Sequence, residues 1–299
     1  MIDKLEYLLA LARERNFGKA AESCGVTQPT FSAGIKQLEE MLGAVLVQRT
    51  SRFIGFTAEG ERVLEWARGI VADARSMRAD VQTLKKGVSG HLRIAAIPVA
   101  LPMLAMVTTP YHVKYPGVRF SIFSRTVAEI LALLDNFEID AGVTYVDGQL
   151  PRGLRTVPFY RERYRLVTGP DSPLGNRQKV TWAEVAKVPL CLPAADMQSR
   201  HIIDDLLKVA GADPGPPTLE SNSMIVLFTH VRTGRWATVM PDRLAEALGL
   251  TQQLRSVPIV EPDAAEQIGL LVPKREPSTA LVGALVAEVI AASKSLERS

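Results

Sequence analysis

The chain has 299 residues, of which 47% are hydrophobic and 22% are charged, and its formal net charge is +3. This length predicts two or three domains with sizeable cores, and the composition excludes a disordered chain. Residues 1–62 carry eight basic and eight acidic side chains. Bulk charge therefore does not indicate a nucleic-acid partner, and any phosphate contacts must come from local placement.

The chain holds two cysteines, Cys24 and Cys191, which lie far apart and belong to no metal-binding spacing. We expect both to be buried thiols that act as small hydrophobic side chains, with no metal site and no cofactor. The amino-terminal segment is amphipathic and charged throughout, unlike a signal peptide, and no uncharged apolar run reaches the ~18 residues of a membrane span. We therefore expect a cytoplasmic protein that does not enter a membrane.

The first sixty residues predict three successive helices. Residues 2–14 form the first, with leucines on one side. Residues 18–24 form the second, which Gly25 ends because glycine enters the left-handed conformation at little cost. The third begins at Thr27, whose hydroxyl is a natural N-cap, and Pro29 lies in the first turn, where its missing N–H is not needed.

The third helix has an apolar face and a polar face. Its apolar residues recur in steps of four, three and four, at Phe31, Ile35, Leu38 and Leu42. The candidate contacts to base edges and phosphates are Thr27, Gln28, Pro29, Thr30, Ser32 and Lys36. A short helix, a glycine turn and a helix with a polar amino-terminal end predict a helix-turn-helix. The alternative is an ordinary helical hairpin.

The next segment, residues 46–57, is short, basic and aromatic, which predicts a small hairpin and makes the domain winged. Arg49 and Arg52 are placed to contact phosphates, and the predicted tip at residues 50–52 would carry Arg52 to a phosphate or into a minor groove. The alternative for Arg52 is a solvated loop arginine.

This stretch resembles the DNA-binding domain of LysR-type transcriptional regulators. The matching residues are Phe17, Ala20, Ala21, Gln28, Pro29, Ser32, Ile35, Leu38, Glu39, Leu42, Gly43, Leu46, Arg49, Thr57 and Gly60. The resemblance implies a regulator that binds double-stranded promoter DNA. One departure is Ala33, which stands where the family usually carries a basic residue, so we expect specificity to depend more on the shape and bending of DNA.

A single long helix is predicted from its cap at Thr57 to Gly87. Apolar residues repeat along it in steps of four and three and predict a coiled-coil dimerisation seam: Val63, Ala67, Ile70, Ala74, Met77, Val81 and Leu84. The alternative is that this strip packs against the same chain. The resemblance implies linker helices that pair antiparallel in a homodimer, which assembles into a homotetramer.

From residue 88 onwards strand-like and helix-like runs alternate, which predicts an α/β domain with a mostly parallel sheet. The resemblance implies an effector-binding domain of two α/β lobes, similar to periplasmic binding proteins. The predicted fold class is α+β multidomain, with a winged helix-turn-helix at 1–58, a linker helix at 59–87 and an effector domain at 88–299. Within the effector domain we expect lobe I at 91–162 and 268–299, and lobe II at 163–267.

Ligands in open α/β sheets lie beyond the carboxyl ends of strands, where helix amino termini point their amides. Residues at such junctions are the predicted effector contacts: Pro98, Val99, Ala100, Ser124, Arg125, Thr126, Ser199, Arg200 and Asn222. These groups suit a small organic acid, with Arg125 or Arg200 as the carboxylate partner. The alternatives are salt bridges for the arginines and helix capping for the hydroxyls. Overall similarity also points to regulators of formate dehydrogenase operons.

Enzyme signatures are missing from the sequence. It has no glycine-rich phosphate loop, no G-x-S-x-G elbow and no H-E-x-x-H pattern, and its four histidines are scattered. We therefore expect no catalytic activity. The alternative hypothesis is a solute-binding or enzymatic α/β domain whose winged helix serves only dimerisation.

Overall fold

The computed structural model of the chain describes residues 1–49, 53–148, 150–249, 254–274 and 277–298. The chain divides into two compact units, Met1–Gly87 and Val88–Ser299. The predicted wing tip, with Arg52, lies outside the described residues, and so do the side chains of Arg49 and Leu84.

The described part of the first unit contains four helices and one hairpin. They are α1 (Ile2–Glu14), α2 (Phe17–Ser23), α3 (Gln28–Leu42), β1 (Val47–Arg49), β2 (Phe53–Phe56) and α4 (Ala58–Lys86). The predicted caps are confirmed, since the Thr27 hydroxyl accepts the N–H of Thr30 and the Thr57 hydroxyl accepts the N–H of Gly60 at 2.9 Å. Gly25 adopts a φ of +69°, which ends the short helix as expected.

The core of this unit forms where α1, α2 and α3 meet. Phe31, Ile35 and Leu38 are fully buried, as their spacing predicted. Leu42 is 45% exposed, so its place on the buried face was predicted wrongly. The reason is that α3 ends at Leu42 and the chain turns through Gly43 in the left-handed conformation, which leaves the last side chain beyond the core.

The long helix α4 has one face buried within its own unit and another exposed. Ala67 and Ala74 are buried, and α4 packs along α1, where Arg75 pairs with Glu6 at 3.2 Å. These two alanines therefore pack against their own chain, which was the predicted alternative to a dimerisation seam. Among the described side chains of α4, the exposed large apolar residues are Trp66, Ile70, Met77 and Val81.

The second unit alternates strands and helices around a curled sheet. Its strands are β3 (Gly90–Ala96), β4 (Val118–Ser124), β5 (Ala141–Tyr145), β6 (Leu154–Thr168), β7 (Val180–Thr181), β8 (Cys191–Pro193), β9 (Leu219–Ser221), β10 (Thr238–Pro241), β11 (Arg255–Val260) and β12 (Ala265–Pro273). Its helices are a 3₁₀ helix at Pro98–Leu104, α5 (Ala105–Lys114), α6 (Val127–Asp135), α7 (Trp182–Val185), α8 (Gln198–Val209), α9 (Met224–Val231), α10 (Asp242–Ala247) and α11 (Ala280–Leu296).

The prediction of a mostly parallel sheet was wrong. The eight-stranded sheet has the order β4-β3-β5-β12-β6-β11-β7, with β10 also paired to β6. The four pairings of β6 and β12 are antiparallel: β12 with β5 and with β6, and β6 with β10 and with β11. The cause is β6, a fifteen-residue strand whose first part pairs with β12 and whose last part pairs with β10 and β11. It runs through the middle of the sheet, where a set of βαβ units would place a parallel strand.

The described residues of the second unit form two apolar clusters. One surrounds β3, β5, β12 and α11, and the other surrounds the end of β6 together with Trp182, Leu192 and Ile203. Thr181 and Glu184 form a capping box at the start of α7. Among the residues that the structure describes, no helix is both long and apolar enough to span a membrane.

Candidate functional site

The amino-terminal end of α3 is accessible in the first unit. Thr27, Gln28, Pro29 and Thr30 are exposed, and Ser32 is half-buried. The side chains at this end are thus accessible to a ligand within the described unit. The surface that sequence reasoning assigned to the major groove is therefore free within its own unit.

Two of these polar side chains are already used in the helix cap. The hydroxyls of Thr27 and Thr30 lie 2.9 Å apart, and Thr27 also accepts the Thr30 N–H. Gln28 and Ser32 make no side-chain hydrogen bond to any described residue. Most of the free hydrogen-bonding capacity at this end therefore belongs to Gln28 and Ser32.

A basic residue and an acidic residue flank the same surface with different roles. Lys36 lies 3.8 Å from Glu40, and both side chains are mostly exposed, so this weak pair leaves the ammonium available to a phosphate. Glu39 is different, because its Oε1 accepts the N–H groups of Leu46 at 2.9 Å and Val47 at 3.1 Å. This carboxylate ties the start of the hairpin to α3, a role that sequence spacing did not reveal.

In the second unit, a small open cleft lies where strands end and helices begin. Its lining residues are Ile97, Pro98, Val99, Thr126, Val127, Tyr145, Met197, Gln198 and Ser199. They come from the start of the 3₁₀ helix, the start of α6, the end of β5 and the start of α8. Three of the four predicted junctions, at residues 98–100, 124–126 and 199–200, contribute at least one lining residue, whereas the junction at Asn222 contributes none. Residues that are distant in sequence thus share one cleft.

Ser199 is the least satisfied polar group of this cleft. The residue is 4% exposed, and its Oγ has no hydrogen-bond partner among the described residues. It lies in the first turn of α8, a twelve-residue helix whose N-cap residue, Met197, makes no side-chain cap hydrogen bond. An unpartnered buried hydroxyl beside uncapped helix amides favours a ligand with acceptor atoms.

Thr126 is engaged differently. Its hydroxyl accepts the N–H of Glu129 and also lies 3.0 Å from Glu129 Oε2. Its backbone N–H donates to the same carboxylate oxygen at 2.8 Å, which completes a capping box at α6. The hydrogen bond from the Thr126 backbone N–H holds the pKa of Glu129 below its ordinary value. Thr126 therefore shapes the wall of the cleft while most of its hydrogen bonds are already made.

The two predicted carboxylate partners do not line the cleft. The guanidinium of Arg200 bonds Asp204 at 2.8 Å, the carbonyl of Pro193 and the carboxylate of Glu220. Arg125 is exposed, donates to the Ser124 carbonyl and lies over the Phe123 ring at 5.7 Å. For Arg200, the structure therefore shows a salt bridge, which was the predicted alternative to an effector contact.

The other predicted contacts also lie away from the lining. Ala100 is buried in the core, and Ser124 and Asn222 are exposed. The lining residues that are absent from the predicted contacts are Ile97, Val127, Tyr145, Met197 and Gln198. Tyr145 could have been found, because it is the last residue of β5 and ligands lie beyond the carboxyl ends of strands.

The thiols are sheltered rather than reactive. Cys191 is buried in β8, its Sγ lies 3.5 Å from the Ala237 carbonyl, and burial raises the pKa of its thiol to about 11. Burial also raises the pKa of the half-buried Cys24 thiol. Among the described residues, no group of three or more His, Cys, Asp or Glu side chains is arranged to hold a metal ion.

Two family models match the chain, one for each unit. Residues 2–61 match the model described as "Bacterial regulatory helix-turn-helix protein, lysR family". Residues 85–294 match the model described as "LysR substrate binding domain". Together they cover the α3 surface and the cleft.

Relatives and solved structures agree with these matches. A "Hydrogen peroxide-inducible genes activator" of Pectobacterium carotovorum is 30% identical over 245 residues, which is 80% of this chain and 79% of that protein. The "DNA-binding transcriptional dual regulator OxyR" of Escherichia coli is 29% identical, over 90% of this chain and 88% of that protein. The structure of a full-length OxyR variant from Pseudomonas aeruginosa superposes with a TM-score of 0.76 at 21% identity, covering 97% of both chains. Full-length CbnR "complexed with the target DNA complex" gives 0.67 at 22% identity, covering 98% of this chain and 99% of that one.

Proposed function

Because the chain belongs to the LysR family of helix-turn-helix transcriptional regulators, we propose that α3 reads promoter DNA and that a small carboxylate in the cleft of the second unit controls the outcome. A DNA-binding regulator with an effector-binding domain is what the family matches establish, and such regulators are not enzymes. The observation that supports α3 as the reading helix is its exposed, polar amino-terminal end. Since DNA is the partner, we place the protein in the cytoplasm.

In this proposal Gln28 and Ser32 contact base edges, and Pro29 packs against a thymine methyl group. Thr27 and Thr30 hold the helix end. The backbone donor that this first turn offers to a phosphate is the Gln28 N–H, because Pro29 has no N–H and the Thr30 N–H donates to Thr27. Lys36, Arg49 and Arg52 add phosphate contacts. With Ala33 and Gly34 on the next turn in place of a long basic side chain, part of the specificity comes from how readily the site bends.

The effector in this proposal is a small organic acid. Its carboxylate accepts hydrogen bonds from the Ser199 hydroxyl and from the first amides of α8, where the helix dipole also favours negative charge. The apolar side chains of Ile97, Val99 and Val127 pack against its hydrocarbon part. Binding changes transcription only if the two conformations of the regulator differ in affinity for the acid. Control of a formate dehydrogenase operon stays a prediction from overall similarity.

The names of the relatives raise a second candidate, a response to hydrogen peroxide. The thiol of Cys191 argues against a cysteine-based response in the second unit. It is the one cysteine among residues 88–299, and it is buried with a raised pKa. Because the thiolate is the nucleophile, a thiol held in this state reacts slowly with peroxide.

We expect small carboxylates to raise the melting temperature of the full-length protein in a thermal-shift screen with acetate, lactate, succinate and benzoate. Ser199→Ala should weaken the best of them by roughly tenfold, the effect of one lost hydrogen bond to a charged group. Ser295→Ala, at an exposed position of α11, is the matched control. Equal affinity of the wild type and Ser199→Ala in calorimetry would contradict the site.

Gel shifts with DNA from upstream of the protein's own gene test the regulator itself. A solute-binding protein whose winged helix only dimerises would leave that DNA unshifted. Because the family is established, we expect a specific complex whose affinity falls steeply with salt.

We also propose that the exposed strip of α4, with Ile70, Met77 and Val81, pairs with the same strip of a second chain, and that dimers assemble into tetramers. Met77 is 60% exposed. Met77→Asp should weaken the dimer because a carboxylate would lose its hydration in the pair. Analytical ultracentrifugation at micromolar concentration measures this, with Val209→Asp, an exposed site on α8, as control. An unchanged sedimentation profile for Met77→Asp would end this assignment.

A further inference from the structure

A fully buried carboxyl group lies next to the cleft, and the proposed effector site assigns it no role. Glu162 is 0% exposed in the middle of β6. It lies where the strand changes partners, since Arg163 pairs with Ala265 of β12 and Tyr164 pairs with Pro241 of β10. Its Oε1 lies 3.0 Å from the Tyr145 hydroxyl, and its Oε2 has no partner among the described residues.

The surroundings of Glu162 disfavour a negative charge. The titratable groups near it are Tyr145 on β5, Tyr160 and Tyr164 on β6, Asp242 and Arg243 on α10, and Glu266 on β12. No described cation forms an ion pair with Glu162, and Arg243 pairs with Glu246. Burial, with Asp242 and Glu266 nearby, raises the pKa of Glu162 to about 8.

The protonation state of Glu162 decides what Tyr145 offers to the cleft that it lines. A phenol has one proton to donate. If Glu162 is ionised, the Tyr145 hydroxyl must donate to Oε1, and only its lone pairs remain for a ligand. If Glu162 is a carboxylic acid, its own proton can be donated to the Tyr145 oxygen across the same 3.0 Å. The phenolic proton is then released from Glu162 for another acceptor, either the neighbouring Tyr164 hydroxyl or a ligand in the cleft that Tyr145 lines.

We propose that Glu162 works as a neutral carboxylic acid that donates to Tyr145 and thereby turns the Tyr145 hydroxyl into a donor for a carboxylate in the cleft. Glu162 is thus a positioning residue, which acts on the ligand through Tyr145. The inference rests on the proposed effector site. It adds that an anionic effector favours protonated Glu162, so that binding takes up a proton whenever the empty site is ionised.

The protonation state is measured without any effector. The full-length chain labelled with ¹³C-carboxyl glutamate should show the carbonyl stretching band of a protonated carboxyl group just below pH 8, where glutamates of ordinary pKa are ionised, and Glu162→Gln should lack it. The stability of the second unit gives an independent check. Between the ordinary range of glutamate and about 8, the folded chain holds a proton that the unfolded chain has released, so stability falls as pH rises toward 8. Glu162→Gln should remove this pH dependence. In the wild type, the folding equilibrium constant should fall by at most tenfold for each unit that the pH rises.

The link to the ligand is measured by calorimetry above pH 8 in buffers of different ionisation enthalpy, with the carboxylate that gave the largest thermal shift. The wild type should take up close to one proton on binding. Glu162→Gln, which is neutral and can still donate from its amide, should bind with similar affinity and take up none. Tyr145→Phe should bind about tenfold more weakly at every pH, since it loses one donor.

The outcomes separate the inference from the proposed effector class. If no carboxylate binds while the band of protonated Glu162 is present, the proposal of a carboxylate effector is wrong. The assignment of Glu162 as a neutral carboxylic acid is then still supported. If a carboxylate binds but the band is absent below pH 8, or the wild type takes up no proton above it, Glu162 does not orient Tyr145 and the inference is overturned. A Glu162→Gln protein that binds no carboxylate at all, although Tyr145→Phe still does, also overturns it.

Discussion

Gly60→Ala is expected to unfold the amino-terminal unit. Gly60 lies in the first turn of α4, and a Cβ built there would stand 2.1 Å from the carbonyl oxygen of Leu46 and 3.2 Å from the Cβ of Phe56. The clashing atom belongs to the backbone of Leu46. Two hydrogen bonds fix this residue, because its N–H donates to Glu39 and its carbonyl accepts the N–H of Thr57. Neither the helix nor the hairpin can move aside without losing these bonds. We expect a loss of more than about 3 kcal/mol in the free energy of unfolding.

Urea denaturation followed by circular dichroism measures this loss, and a gel shift should show DNA binding lost with it. Gly55→Ala is the matched control, because Gly55 has no atom within 4 Å of an added Cβ and needs no positive φ. It should change stability by no more than about 0.5 kcal/mol. A Gly60→Ala protein as stable as Gly55→Ala would show that the packing of α4 against the hairpin is looser than described.

The double variant Gln28→Ala and Ser32→Ala is expected to abolish sequence-specific DNA binding while leaving the fold intact. These two side chains are the polar groups of the α3 end that no described residue engages. Each lost base contact costs about 1–3 kcal/mol, so the pair should weaken the specific complex by roughly 30-fold or more. Non-specific, salt-sensitive binding through lysine and arginine should remain.

Fluorescence anisotropy with the protein's own upstream DNA, in the presence and absence of unrelated competitor, separates specific from non-specific binding. Gln37→Ala removes an exposed glutamine from the opposite side of the same helix and should have no effect. If the double variant retains full specificity, α3 does not read the bases, and the operator is recognised by shape or by another element.

The sequence by itself determined the features that depend on neighbours a few residues apart. Thr27 and Thr57 were predicted as caps because a hydroxyl reaches an N–H three residues later, and the Phe31, Ile35 and Leu38 face followed from helical periodicity. The DNA-binding unit consists largely of such local relations. Its one misplaced face residue, Leu42, lies at the helix end, where periodicity stops being informative.

Only the tertiary structure decided which predicted effector residues meet and which are already occupied. Arg200 is removed from the cleft by Glu220, twenty residues away, and Glu162 meets Tyr145 only because β6 and β5 flank β12. A pattern in the sequence cannot predict such pairs, because burial and hydrogen-bond partners depend on the order and direction of the strands. The long antiparallel strand β6 determines that order. No pattern in its sequence indicates that its first part pairs with β12 and its last part with β10 and β11.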